Sequence, residues 1–189
     1  MLTPAPSTKD KLLRAALQIG ARDGLEAVTT AAIAAEAGVA EGTLYRHFPS
    51  KDDLLIEVYR GVKRRIFEAI SDGEDGDETP DARLKRVWRK LYEAYREEAE
   101  AFMFGQRFAE SSLSKREGGA AHEQIAAAVG RLRQAGIDAG VFKDLPSDLM
   151  GALFFAPVGY LLKIELKGRG WTPAELDAAA ESVLDSWRA

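Results

Sequence analysis

Residues 29 to 55 read TTAAIAAEAGVAEGTLYRHFPSKDDLL, and this stretch decides the fold. Its apolar residues recur at intervals of three and four rather than alternating, which is the pattern of helices. Thr29 and Thr30 precede AAIAAEAG, where a hydroxyl can accept from the orphan N–H groups of a helix start and Gly38 supplies a left-handed exit. Val39 to Phe48 makes a second short helix, closed by Pro49. Two short helices separated by Ala37-Gly38-Val39-Ala40 have the sequence form of a helix-turn-helix, whose second helix enters a DNA major groove. The residue chemistry agrees: Gly42, Thr43, Tyr45, Arg46 and His47 can approach or bond to DNA, while Leu44 and Phe48 anchor the segment inward.

Working outward, a first helix is expected to start after Ser7 or Thr8, with Asp10 three residues after Ser7 as a partial capping box, and to stop at Asp23-Gly24. Leu13, Ala16, Leu17 and Gly20 are read as its inner face. Ser50 caps a fourth helix, with Asp53 three residues on; Leu54, Leu55, Val58, Val62 and Ile66 form its stripe, and it ends near Ser71. The acidic, Gly- and Pro-bearing stretch DGEDGDETP, residues 72 to 80, reads as a solvated connector. Beyond it, Leu84, Val87, Trp88, Leu91, Tyr92 and Tyr95 make a helical face, and helices follow at roughly 100 to 113, 120 to 138 and 147 to 167. The last opens at Thr172-Pro173-Ala174-Glu175, where a hydroxyl cap, proline at the first helical position and Glu at the third coincide. The expected fold is all-α, with no strand and about nine helices. A helix-turn-helix domain occupies 1–55, helix four (51–71) links the modules, and 72–189 forms a larger helical domain.

Composition excludes several classes. The 189 residues hold no cysteine and two histidines, His47 and His122, far apart in sequence. Disulfides, thiolate catalysis and cysteine-type metal sites are therefore out. No converging acid, base or metal set is present, so neither an enzyme nor a cofactor is expected. Met1 to Asp10 lacks the basic stretch and apolar core of a signal peptide, which fits a cytoplasmic protein. The uncharged run Leu149 to Leu162 is broken by Gly151, Pro157 and Gly159 and is shorter than the ~20 residues a bilayer needs, so it reads as a buried helix. Net charge is -4, yet residues 1 to 51 carry six Lys plus Arg against five acids, so the acidity belongs to the second module. A local balance of +1 is a thin electrostatic footprint for DNA.

Residues 29 to 55 resemble, almost without gaps, the DNA-binding signature of the TetR/AcrR family of bacterial transcriptional regulators. The specific resemblance covers about the first 70 residues; beyond them only size and helical layout match. It implies that Thr30, Tyr45, His47 and Lys51 contact phosphates and that Glu41, Gly42, Thr43 and Arg46 face the groove. Lys51 has added physical support, because it stands at a helix N-terminus. Three positions depart from the family pattern. Ala40 stands where a Ser usually caps the recognition helix, so that helix is expected to be loose without DNA. Ala31 replaces a basic residue of some members, and Glu41 would be repelled by phosphate unless it accepts from a cytosine amine.

The second module holds most of the aromatic residues, chiefly as core. In the family this module encloses a small organic effector, here expected to be apolar or aromatic, for which Trp88, Tyr92, Phe104, Phe108 and Phe155 are candidate lining residues. Arg107 and His122 are the candidate polar contacts. Leu149 to Leu166 is apolar nearly all round and must be covered on two sides. Similar regulators pair their last two long helices in a homodimeric four-helix bundle, making Phe155, Gly159, Leu162, Leu166, Val183 and Trp187 candidate interface positions. The resemblance implies a ligand-responsive repressor released from a near-palindromic operator. The alternative is an interaction protein that keeps the helix-turn-helix shape but binds a protein partner, which Ala40, Glu41 and the thin basic charge would suit.

Overall fold

The computed structural model describes residues 5–71 and 78–189. The connector read at 72 to 80 therefore lies mostly outside the described residues, as do the first four positions of the amino-terminal segment read as lacking a leader. Among the described residues ten α-helices follow one another: α1 (Thr8–Asp23), α2 (Thr30–Ala37), α3 (Leu44–His47), α4 (Lys51–Ser71), α5 (Pro80–Glu97), α6 (Ala99–Glu110), α7 (Ser112–Glu117), α8 (Ala120–Asp138), α9 (Ser147–Glu165) and α10 (Pro173–Trp187). Among the described residues the sole β feature is an isolated bridge between Phe142 and Arg188. The residues group into two compact units, 1–64 with 98–121, and 65–97 with 122–189. This grouping differs from a linear division at the connector: α6 and α7 pack with the amino-terminal helices.

In the first unit, α1 begins as the sequence predicts. Ser7 accepts from the Asp10 amide while the Asp10 carboxylate accepts from Ser7, a complete capping box. Its buried face is broader than the 13/16/17/20 stripe: Leu12, Ala15, Ala16, Ile19 and Gly20 are buried, with Leu13 and Leu17 at the margin. The reason is that α1 packs against both α2 and α6. Gly20 permits the second contact, since a Cβ there would lie 2.7 Å from the Phe104 ring. Phe104 and Phe108 thus enter the core of this unit with Leu44, Phe48 and Leu55, and the Tyr59 ring stacks on Phe108 at 4.2 Å. The helix expected over 100–113 divides at Ser111, whose hydroxyl accepts from the Leu113 amide and starts α7.

The second unit is built around α5, which buries Leu84, Val87, Trp88, Leu91 and Tyr92 and packs against α9 and α10. The Trp88 indole donates to the Phe154 carbonyl at 3.1 Å, and the Tyr92 hydroxyl donates to Glu165. Burial, then this bond to a carboxylate, pushes the Tyr92 phenol well above its ordinary range. Phe142 meets Trp187 edge-on, and the flanking amide bonds Lys143 N to Trp187 O and Ala189 N to Val141 O pin the chain end. Arg188 bonds to Asp81, Glu181 and Asp185, joining α10 to the start of α5.

By length and composition α9 could cross a membrane, with mean hydropathy 1.3 over 19 residues. Met150, Phe154, Val158 and Leu162 are nevertheless buried in this unit, the one-sided burial of a core helix.

Candidate nucleic-acid interface

Local chemistry shapes the helix-turn-helix. Thr29 caps α2 by accepting from the Ala32 amide at 3.1 Å, which leaves the neighbouring Thr30 hydroxyl for other work. At the other end Gly38 takes φ +66°, the left-handed turn that closes α2 and redirects the chain. The second helix is shorter than the expected Val39–Phe48. A 3₁₀ turn over Glu41–Thr43 leads into α3, and Ala40 provides no side-chain cap. Without a capping hydroxyl the first amides are organised only by the tight turn, Thr43 N bonding to Ala40 O at 2.9 Å.

Leu44 is fully buried and Phe48 is 5% exposed, so the segment is anchored as expected. Between and before them, Glu41, Gly42, Tyr45, Arg46 and His47 are exposed, with Tyr45 at 58%, and Thr43 is half-buried. The structure brings two of the expected contacts together: Thr30 Oγ1 donates to Glu41 Oε1 at 2.6 Å. Lys51 is half-buried at the start of α4, where Ser50 accepts from the Asp53 amide and donates to the Asp53 carboxylate.

Sequence reasoning missed Arg116. It reaches from α7 to Asp52 at 3.1 Å and Asp53 at 2.6 Å, compensating two acids beside Lys51 that would otherwise oppose a phosphate. Nothing in the local pattern of α7 marks that role; only the packing of α7 on this unit does.

The candidate effector residues separate. Phe104 and Phe108 are core residues of the first unit, and Arg107 donates to the Gly20 carbonyl at 2.8 Å. Trp88 and Tyr92 are buried and bonded in the second unit's core. His122 and Phe155, with ring centroids 6.0 Å apart, do line a cavity of about 570 Å³ between α8 and α9. Small residues such as Ala126, Gly130 and Gly151 leave its space open. Arg133 stands in its wall with its guanidinium engaged by Asp144, the Leu145 carbonyl and Met150 sulfur, and Asp148 stands there too, its carboxylate accepting from the Leu149 amide.

The candidate interface residues also separate. Leu162, Val183 and Trp187 are buried within the unit, Trp187 forming part of the cavity wall. Phe155 and Gly159 are half-buried, and Leu166 is exposed. Leu149, Leu153 and Tyr160, which the reading did not select, stand exposed on α9 beside Ala152 and Ala156. Among the described residues no group of three or more His, Asp or Glu side chains could hold a metal ion.

An amino-terminal helix-turn-helix with an exposed recognition segment, continued by further helices, defines a two-unit helix-turn-helix protein. Comparison with known proteins shows what it is similar to. The model for bacterial regulatory proteins of the tetR family matches residues 12–58. The transcriptional repressor KstR2 of Mycobacterium tuberculosis is 35% identical over 88 residues, covering 47% of this chain and 44% of that protein. The chain thus spans less than half the length of the curated relatives it matches first. Over the whole chain, a TetR family transcription regulator from Marinobacter aquaeolei superimposes with TM-score 0.87 at 23% identity, covering 96% of this chain and 95% of that one. A TetR family protein from Vibrio parahaemolyticus does so with TM-score 0.78 at 29% identity, covering 97% and 100%. Residues 12–58 thus match bacterial regulatory proteins of the tetR family, and the chain as a whole shares the fold of these solved structures.

Proposed function

We propose that this protein is a cytoplasmic, ligand-responsive DNA-binding transcriptional regulator, acting as a repressor. The observation that carries the reading is the exposed Glu41–His47 segment, held by buried Leu44 and Phe48 behind the Gly38 turn. It lies inside residues 12–58, which match the family model, and the relative KstR2 is itself named a transcriptional repressor. Thr43 and Arg46 are the base readers of this proposal; Tyr45, His47 and Lys51 are its phosphate contacts, and Gly42 admits the backbone to the groove.

Two copies pair through the exposed face of α9, where Leu149, Leu153 and Tyr160 would otherwise face water. In such a dimer the recognition segments read half-sites about one DNA turn, ~34–36 Å, apart. The effector occupies the cavity between α8 and α9; its size is in the range of small-molecule sites, and its aromatic and small apolar walls suit an apolar or aromatic molecule. Effector and DNA prefer different conformations, so each weakens the other's binding by the same factor. Genomic fragment selection on the purified protein tests the reading: recovery of one near-palindromic sequence supports it, and recovery of no common sequence contradicts it.

A further inference from the structure

Thr30 and Glu41 are each expected to meet DNA, yet they are bonded to each other, Thr30 Oγ1 to Glu41 Oε1 at 2.6 Å. A hydroxyl has one proton and an ionised carboxylate only accepts. Thr30 therefore cannot donate to Glu41 and to a phosphate at once. The bond also fastens the recognition segment to the start of α2 at the place where Ala40 leaves it without a cap.

We propose that Thr30 and Glu41 form a latch that makes Glu41 the specificity-determining residue of the head: the carboxylate releases Thr30 for a phosphate only when a cytosine amino group replaces that hydroxyl. This rests on the DNA-binding reading above. On a sequence with no amino group within reach, opening the latch strands an acceptor-only anion among phosphates, and keeping it closed withholds the Thr30 contact; both states are weak. At a cytosine the N4 amine donates to Glu41, one bond is exchanged for another, and the freed hydroxyl adds a phosphate contact. A negative residue in a thinly basic head thus raises discrimination by weakening every other complex.

The test uses the full chain and the operator recovered by fragment selection, with each C·G pair changed in turn and a shuffled fragment as reference. Thr30→Val, Glu41→Ala, Glu41→Gln and the double variant Thr30→Val/Glu41→Ala are compared by anisotropy, with thermal unfolding to check folding. The expected result is that Glu41→Ala binds shuffled DNA several-fold more tightly and loses about tenfold discrimination at one cytosine. Glu41→Gln, which can still accept from Thr30, shifts preference at that position toward adenine. Thr30→Val costs at least about threefold more in the Glu41→Ala background than alone, the coupling a latch requires. Independent effects of the two substitutions, or an equal loss by Glu41→Ala on every sequence, would overturn the latch while leaving DNA binding in place. A wild-type protein that binds operator and shuffled DNA alike would overturn both the latch and the reading beneath it.

Discussion

Arg60 of α4 holds Glu117 of α7 at 3.1 Å, and Glu117 is 5% exposed, the most buried charged residue among those described. The same carboxylate accepts from the Ala121 amide, so one oxygen ties α4, α7 and the start of α8 within the first unit. Burying a carboxylate is costly, and these two donors compensate it. Arg60→Ala is expected to destabilise the protein by about 2–3 kcal/mol, below the range for a wholly buried pair because the arginine is half-solvated. Glu117→Gln, which keeps an acceptor, should cost less. Urea unfolding measures both; a Glu117→Gln loss equal to that of Arg60→Ala would contradict this, because removing the charge alone would then cost as much as removing the donor.

Glu175 gives a pH dependence with a definite sign. Bonds from the Thr172 amide and hydroxyl, with Arg169 nearby, hold its carboxyl below the usual range. Its folded value lies below its unfolded one, so its contribution is complete above the ordinary glutamate value near pH ~4.3 and fades as pH falls through the folded value. Glu175→Gln should therefore flatten the fall in thermal stability below about pH 4. An unchanged acid slope would remove the cap from the account.

On the proposed function, Lys51 and Thr43 divide the work of the interface. Lys51→Ala should weaken binding to all sequences and flatten the salt dependence by about one counterion, whereas Thr43→Ala should change sequence preference at one position. Salt-titrated anisotropy on operator and shuffled DNA separates them. Equal loss of discrimination in both variants contradicts the division.

On α9, Leu153→Glu should leave the fold intact, because Leu153 is 36% exposed, and should convert the proposed dimer into a monomer. Sedimentation velocity reads the outcome directly. A variant that still sediments as a dimer places the interface elsewhere.

Gly151→Leu probes the cavity. A Cβ at Gly151 meets nothing within 4 Å, and removing a mid-helix glycine favours α9 by about 1 kcal/mol. The variant should be at least as stable as the wild type yet lose binding of an environment-sensitive apolar dye. Undiminished dye binding would show that the ligand space lies elsewhere.

Much of this was legible in the sequence where chemistry is local. The caps at Ser7, Thr29, Ser50 and Thr172 and the turn at Gly38 depend on neighbours within a few residues, and the structure has each of them. Leu44 and Phe48 were readable as anchors for the same reason. What escaped depends on packing between distant segments. Phe104 and Phe108 carry the composition of a pocket wall, but Gly20 lets them into the core of the first unit. Val183 and Trp187 look like an outer stripe until α5 and the Phe142 segment cover them. The pairing of Thr30 with Glu41 is likewise invisible in a spacing of eleven residues, because the Gly38 turn alone brings them together.

The most direct test of the central claim is fluorescence anisotropy of the purified protein with the DNA upstream of its own gene, against a shuffled fragment and over a salt series. The account predicts tight binding by a dimer to an operator there, with the shuffled fragment much weaker and both declining with salt. Equal affinity for the two fragments, carried through every fragment of a genomic selection, would contradict it.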